Sequence, residues 1–145
     1  NANRKKTMVT RILNALHPVL PKRVAVLGLA FKAETDDMRE SPSLDLVRGF
    51  LEKGISVCAY DPHAMTEAKK IFGTTIDYAS SLYNALEEVD MAVIVTEWNV
   101  FKSLDFESLK QKMRNPVVYD LRNLYDPKTF KDSGITYFSL GRQKS

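Results

Sequence analysis

The chain has 145 residues, 44% hydrophobic and 27% charged, with 21 basic against 18 acidic side chains and a formal charge of +3. That suffices for one domain with its own core and is too apolar for disorder. No apolar run approaches the roughly 20 residues that a bilayer crossing needs, and a single cysteine, Cys58, excludes an internal disulfide framework.

Met8, Val9, Ile12, Leu13 and Leu16 recur at helical spacing with basic residues between them, which predicts an amphipathic helix stopped near His17-Pro18. Arg23 to Gly28, an apolar run bounded by Pro21 and Gly28, predicts a strand buried on both faces. Ser41 then reads as an N-cap with Pro42 at the first helical position. Leu44, Val47, Phe50 and Leu51 follow at helical spacing until Lys53-Gly54. Ile55 to Tyr60 predicts a second strand, closed by Asp61-Pro62. Met65, Ala68 and Phe72 mark a helix stopped at Gly73, and a short strand is expected around Thr75 to Asp77. Ser80 reads as the cap of a helix with Leu82, Ala85, Leu86 and Val89 on one face, leading into the strand Met91 to Val95. Leu104, Phe106, Leu109 and Met113 give a further helix capped by Asp105. Asn115-Pro116 precedes the strand Val117 to Asp120, and Ile135 to Ser139 reads as an edge strand before a polar tail.

Strands alternating with helices, each strand a continuous apolar run, predict an α/β, Rossmann-like three-layer fold. Its mainly parallel sheet is covered on both faces by right-handed crossovers and preceded by an N-terminal helix. In such a sheet, ligands gather beyond the carboxyl ends of the strands where strand order reverses. The informative loops therefore follow Gly28, Tyr60, Val95 and Asp120.

The first loop lacks the second and third glycines of a dinucleotide fingerprint, which argues against a pyrophosphate tucked against its helix. It carries Lys32 and Arg39, whose ammonium and guanidinium groups suit phosphates. With Asp36, Asp37 and Glu40 alongside, a solvated loop of internal salt bridges is the alternative. Asp61 stands where a Rossmann domain uses an acid on a ribose, but Asp-Pro is also an ordinary strand-to-helix turn, which is the preferred reading. Trp98, the only tryptophan, either stacks on a base or wedges its loop into the core, the core being preferred. Arg122 adds a third cation to the same edge, and three cations around a crevice suit a nucleotide diphosphate better than a lone carboxylate.

Cys58 lies inside an apolar strand with no adjacent His or Lys and reads as structural. His17 and His63 sit beside prolines, far apart, and suggest neither a general base nor a metal site. No nucleophile, general base or hydride-acceptor site is assignable. Asn1 to Thr10 is polar and basic with no signal-peptide core after it, so a soluble, cytoplasmic protein is expected. The cluster Arg4, Lys5, Lys6 and Arg11 is too small a basic stripe to predict nucleic acid as a partner, and no membrane partner is expected.

Gly28-Leu-Ala-Phe-Lys32, Thr35-Asp-Asp-Met-Arg-Glu-Ser-Pro-Ser43, Tyr60-Asp-Pro62, Thr96-Glu-Trp98 and Tyr119-Asp-Leu-Arg-Asn123 occur in an order and at a spacing that resemble the C-terminal domain of the UDP-glucose/GDP-mannose dehydrogenase family. The resemblance runs from the first helix to Gly141-Arg142. It implies a three-part, NAD-dependent enzyme of which this chain is the UDP-sugar-binding part, inactive alone because the NAD domain and the catalytic cysteine lie elsewhere. Residues 1–18 would be the end of a central helical region and residues 19–145 the UDP-sugar-binding domain. By position, Phe31 and Lys32 resemble the family's substrate-contacting Phe-Lys pair, the phenylalanine through its backbone. Arg122 resembles an arginine that also meets the substrate, and Arg39 one that reaches NAD. Leu121 stands where many members have glycine, which would narrow the approach to Arg122.

The implied substrate is UDP-glucose or a related nucleotide sugar, with GDP-mannose and UDP-N-acetylmannosamine as alternatives, and the implied full-length assembly is a homodimer. Two other classes stay open: a non-catalytic nucleotide-sensing module, and a subunit-contact piece built on the exposed stripe of the first helix.

Overall fold

The computed structural model describes residues 2–139, with side chains from Met8 onward. The side chains of Arg4 to Lys6 and the Gly141-Arg142 end of the resemblance lie outside the described residues. Helix α1 (Ala2–Ala15) is followed by β1 (Arg23–Leu27), α2 (Pro42–Glu52), β2 (Ser56–Tyr60), α3 (Met65–Phe72) and β3 (Asp77–Tyr78). Then come α4 (Leu82–Ala85), β4 (Met91–Ile94), α5 (Asn99–Lys102), α6 (Phe106–Lys112), β5 (Val117–Asp120), the 3-10 turn η1 (Pro127–Phe130) and β6 (Thr136–Ser139).

The strands form one six-stranded sheet in the order β3-β2-β1-β4-β5-β6, and every pairing is parallel. Alternation along each strand divides the core in two. Val24, Val26, Val57, Ala59, Met91, Val93, Val117 and Tyr119 face α1, α2 and α3. Ala25, Leu27, Cys58, Ala92, Ile94 and Val118 face α4, α5, α6 and η1. Both faces are dry, which is why the strands read as unbroken apolar runs; each fully buried Val, Leu or Ile contributes about 1.5–3 kcal/mol.

The signals at α2 are realised as expected. Ser41 Oγ accepts from the Ser43 N–H at 3.2 Å, Pro42 opens the helix, and Gly54 follows its end at φ +76°. Helix α1 seats Val9 and Ile12 in the core against α2. The approach is close at Gly49, where an added Cβ would stand 2.6 Å from Val9 Cγ2.

Four local readings differ. The cap of α4 is Ser81, whose hydroxyl accepts from the Asn84 N–H, while Ser80 accepts from the Asn84 side chain. The short strand starts at Asp77 instead of Thr75, after the Thr75 hydroxyl has turned back to the Phe72 carbonyl. α5 and η1 were not predicted. α5 has no side-chain cap to announce it, whereas η1 repeats the α2 signal, with Asp126 accepting from the Lys128 N–H and Pro127 next in sequence. None of the described helices is long and apolar enough to cross a membrane.

Candidate functional site

Strand order reverses between β1 and β4, so the crevice that usually receives a ligand lies between their carboxyl ends. Here it is closed. Gly28, at φ +99°, lies so near Thr96 that an added Cβ would stand 2.5 Å from Thr96 Cβ and 2.6 Å from its backbone nitrogen. The Thr96 hydroxyl donates to the Ala30 carbonyl at 2.7 Å, and Ser43 Oγ donates to the Leu29 carbonyl at 2.7 Å. The start of α2 is thus stitched to the loop before it, where a dinucleotide binder would leave it open to phosphate. The loops bearing Lys32 and Arg122 form the rim of this closed crevice.

Asp61 is the tie that holds the rim together. It is 1% exposed. Its Oδ2 accepts from Leu29 N at 2.7 Å, Ala30 N at 3.0 Å and Trp98 Nε1 at 3.1 Å, while Oδ1 accepts from His63 N at 2.8 Å and Ala64 N at 2.9 Å. The turn reading accounts for Oδ1. Oδ2, the atom a ribose would need, is committed to two other loops. Trp98 is buried, as preferred, with its indole 4.8 Å from the His63 ring.

Of the residues singled out from sequence, Phe31 and Arg39 meet through Asp37. The Phe31 N–H donates to the Asp37 carbonyl at 2.6 Å, and Arg39 grips the Asp37 carboxylate through Nε and a terminal nitrogen, both at 3.0 Å. Those guanidinium hydrogen bonds, with one from the Arg39 N–H, hold the Asp37 carboxyl well below its ordinary range, at about 2. The salt-bridged-loop reading therefore holds for Arg39 without withdrawing it from solvent, since its side chain is 89% exposed. Phe31 is 48% exposed, large for a phenylalanine, and Lys32 beside it is exposed. The Phe31 N–H is spent inside the loop.

Arg122 stands on the loop after β5. Its N–H donates to Asp120 Oδ1 at 2.9 Å and its guanidinium to Glu97 Oε1 at 3.1 Å, and Asn123 beyond it turns the chain at φ +53°. Asp120 is fully buried. Its Oδ2 accepts from Leu124 N at 2.6 Å, Tyr125 N at 3.2 Å and the Tyr137 hydroxyl at 2.7 Å. Leu121, partly buried, packs on the core facing α1 to α3.

A cleft of about 450 Å³ opens beside Asp37 and Arg39, with Glu67 and Lys70 of α3 on its far wall. A second hollow of about 460 Å³, between η1 and β6, contains none of the predicted residues. Neither includes Phe31, Lys32 or Arg122, which stand on an open edge. Cys58 is buried in β2 and burial pushes its thiol up, which fits the structural reading. Among the described residues no group of His, Cys, Asp and Glu is arranged to hold a metal. Sequence reasoning quoted Ser43, Thr96, Glu97 and Asp120 within its motifs but gave them no individual role. An acid closing an apolar strand, shared by Asp61 and Asp120, was the signal available for the last of these.

A wholly parallel sheet in this order, with helices on both faces and an aromatic and three cations on its carboxyl-edge loops, defines a Rossmann-like domain. The chain belongs to the UDP-glucose/GDP-mannose dehydrogenase family, whose UDP binding domain it matches over residues 25–127. It is 41% identical over 143 residues to the UDP-glucose 6-dehydrogenase of Rhizobium meliloti (strain 1021), a match covering 98% of this chain and 32% of that protein. It is 34% identical over 142 residues to UDP-glucose 6-dehydrogenase TuaD of Bacillus subtilis (strain 168), covering 98% of this chain and 31% of that one. A UDP-glucose dehydrogenase from the hyperthermophilic archaeon Pyrobaculum islandicum superposes with a TM-score of 0.76 at 29% identity, over 95% of this chain and 29% of the other. The chain thus spans about a third of the length of these curated relatives.

Proposed function

We propose that this chain is the UDP-sugar-binding domain of an NAD-dependent UDP-glucose 6-dehydrogenase and is inactive by itself. The observation that carries this reading is the rim: a closed crevice flanked by Phe31-Lys32 on one loop and Arg122 on another, with Arg39 projecting from the first. Lys32 and Arg122 supply charge to the diphosphate, the second through a planar fork of donors suited to phosphate oxygens. Phe31 offers a carbonyl and an exposed ring to the nucleotide sugar.

NAD, when bound to the longer enzyme, supplies the hydride acceptor. The closed crevice and absent fingerprint leave this domain no pyrophosphate cradle of its own, so its contribution to that cofactor is the guanidinium of Arg39. Residues 1–18 are the end of a central helical region, and the full-length enzyme is a cytoplasmic homodimer. The chemistry of the sugar oxidation belongs to side chains outside this chain. Sugars of the GDP-mannose or UDP-N-acetylmannosamine type are the second reading.

Calorimetric titration with UDP, UDP-glucose and NAD in parallel tests the proposal. UDP and UDP-glucose are expected to bind, and NAD not. Lys32→Ala and Arg122→Ala each weaken UDP by about 1.5–3 kcal/mol, as lost charged hydrogen bonds do, while Arg39→Ala leaves UDP unchanged. Tight NAD binding without UDP binding would overturn the reading.

A further inference from the structure

The loops bearing Lys32 and Arg122 come from strands that are not neighbours, yet a continuous set of contacts joins them. Asp61 Oδ2 holds the backbone of Leu29 and Ala30, directly before Phe31-Lys32, and also the indole nitrogen of Trp98. The Trp98 N–H donates to the Thr96 carbonyl at 3.0 Å, so Thr96-Glu97-Trp98 is a tight turn after β4. Thr96 and Trp98 are buried on either side, 1% and 4% exposed, and Glu97 is the apex between them. Its carboxylate, half-exposed, meets Arg122 at 3.1 Å.

An exposed ion pair contributes little to stability, so Glu97 needs another account. Its backbone is held on both sides by buried residues, so its side chain swings from a fixed root, whereas Arg122 is a longer chain with more rotamers on an exposed loop. The contact uses one terminal nitrogen of the guanidinium, so donors remain for a second acceptor. A carboxylate arranged like this restrains the arginine without occupying its whole fork.

We propose that Glu97 is a positioning residue, aiming Arg122 at the rim, and that the Asp61–Trp98 tie sets Glu97 at a fixed place relative to Phe31 and Lys32. The inference rests on the proposed role of Arg122 in UDP-sugar binding. Pre-ordering one rotamer-rich side chain changes affinity by about 3- to 10-fold. The competing account has the opposite sign: if Glu97 chiefly competes with the diphosphate for Arg122, its removal tightens binding.

The test is a double-mutant cycle on the full chain with UDP as the probe, comparing Glu97→Gln, Arg122→Ala and the pair. Glu97→Gln is expected to weaken UDP about 3- to 10-fold with an unchanged melting temperature, and to add nothing once Arg122 is gone, because it acts through that side chain. If the isolated chain binds no UDP, the same cycle is read from KM for UDP-glucose in the longer dehydrogenase, with kcat expected to hold. Binding as tight as or tighter than the parent in Glu97→Gln, or full additivity with Arg122→Ala, would sink the positioning role. Arg122→Ala without effect overturns the underlying reading of the site instead. Asp61→Asn gives a second arm: it should weaken UDP even where the variant stays folded, and unchanged affinity in a folded Asp61→Asn removes the tie from the proposal.

Discussion

Asp61 and Asp120 end strands on opposite sides of the strand-order reversal, and both are buried acids satisfied by N–H and O–H donors instead of cations. They organise their loops differently. Asp120 serves mainly its own downstream turn, Arg122 to Tyr125, with the Tyr137 hydroxyl from the neighbouring edge strand as its distant partner. Asp61 divides its oxygens between its own turn and two loops more than 30 residues away in sequence. One acid shapes a turn; the other joins three segments over the closed crevice. Equal burial therefore carries unequal structural reach.

The crevice that Asp61 spans offers the most severe way to break that contrast. Gly28→Ala forces a side chain against the Thr96 backbone at a left-handed φ, and we expect a loss of about 3–5 kcal/mol, strain and overpacking together, read from the shift in denaturant midpoint. A smaller loss would mean that the β1 and β4 ends can spread.

The two acids can then be set against each other directly. Asp61→Asn puts an amide NH2 where N–H donors already point, and should cost about 2–4 kcal/mol, against about 1–3 kcal/mol for Asp120→Asn. Because Trp98 is the only tryptophan, its emission should move to longer wavelength in Asp61→Asn and stay put in Asp120→Asn. Matching spectra in the two variants would erase the distinction.

The smallest effect belongs to Asp37, an acid that does use a cation. Its folded carboxyl is held at about 2, below the ordinary 3.8. The sign follows from the depression: the Arg39 grip favours the fold above the unfolded value and is lost as pH falls from about 3.8 through about 2. The carboxyl resonance of Asp37 should titrate near 2, and move back toward the ordinary value in Arg39→Ala. A midpoint near 3.8 in the parent would show that solvent competes the pair away.

Sequence reasoning recovered what is local. The Ser41-Pro42 and Lys53-Gly54 signals bound α2 because capping and a left-handed glycine act within a few residues. The apolar runs marked five of the six strands because a parallel sheet covered on both faces leaves no polar position to interrupt them. β3, two residues long at the edge, was expected around Thr75 to Asp77 and starts at Asp77, because so short a pattern places a strand without fixing its ends. Lys32, Arg39 and Arg122 stood out as cations on the carboxyl-edge loops and Phe31 through the family resemblance, and all four lie exposed on those loops. Asp61 was seen, but its reach was not, since a hydrogen bond to Trp98 across 37 positions leaves no spacing to read. The same holds for Thr96, whose hydroxyl closes the crevice through a carbonyl 66 positions away.

The seat of Val9 on Gly49 has a consequence for anyone reshaping this protein. A glycine in the face of α2 lets α1 sit down into it, so the helix behaves as a keyed shaft that cannot roll without lifting its valine over the rim of the socket. A fluorescent or dimerising module spliced onto α1 as uninterrupted helix would inherit a fixed bearing relative to the sheet. Filling the socket with Gly49→Ala would release that bearing while leaving the carboxyl-edge loops in place.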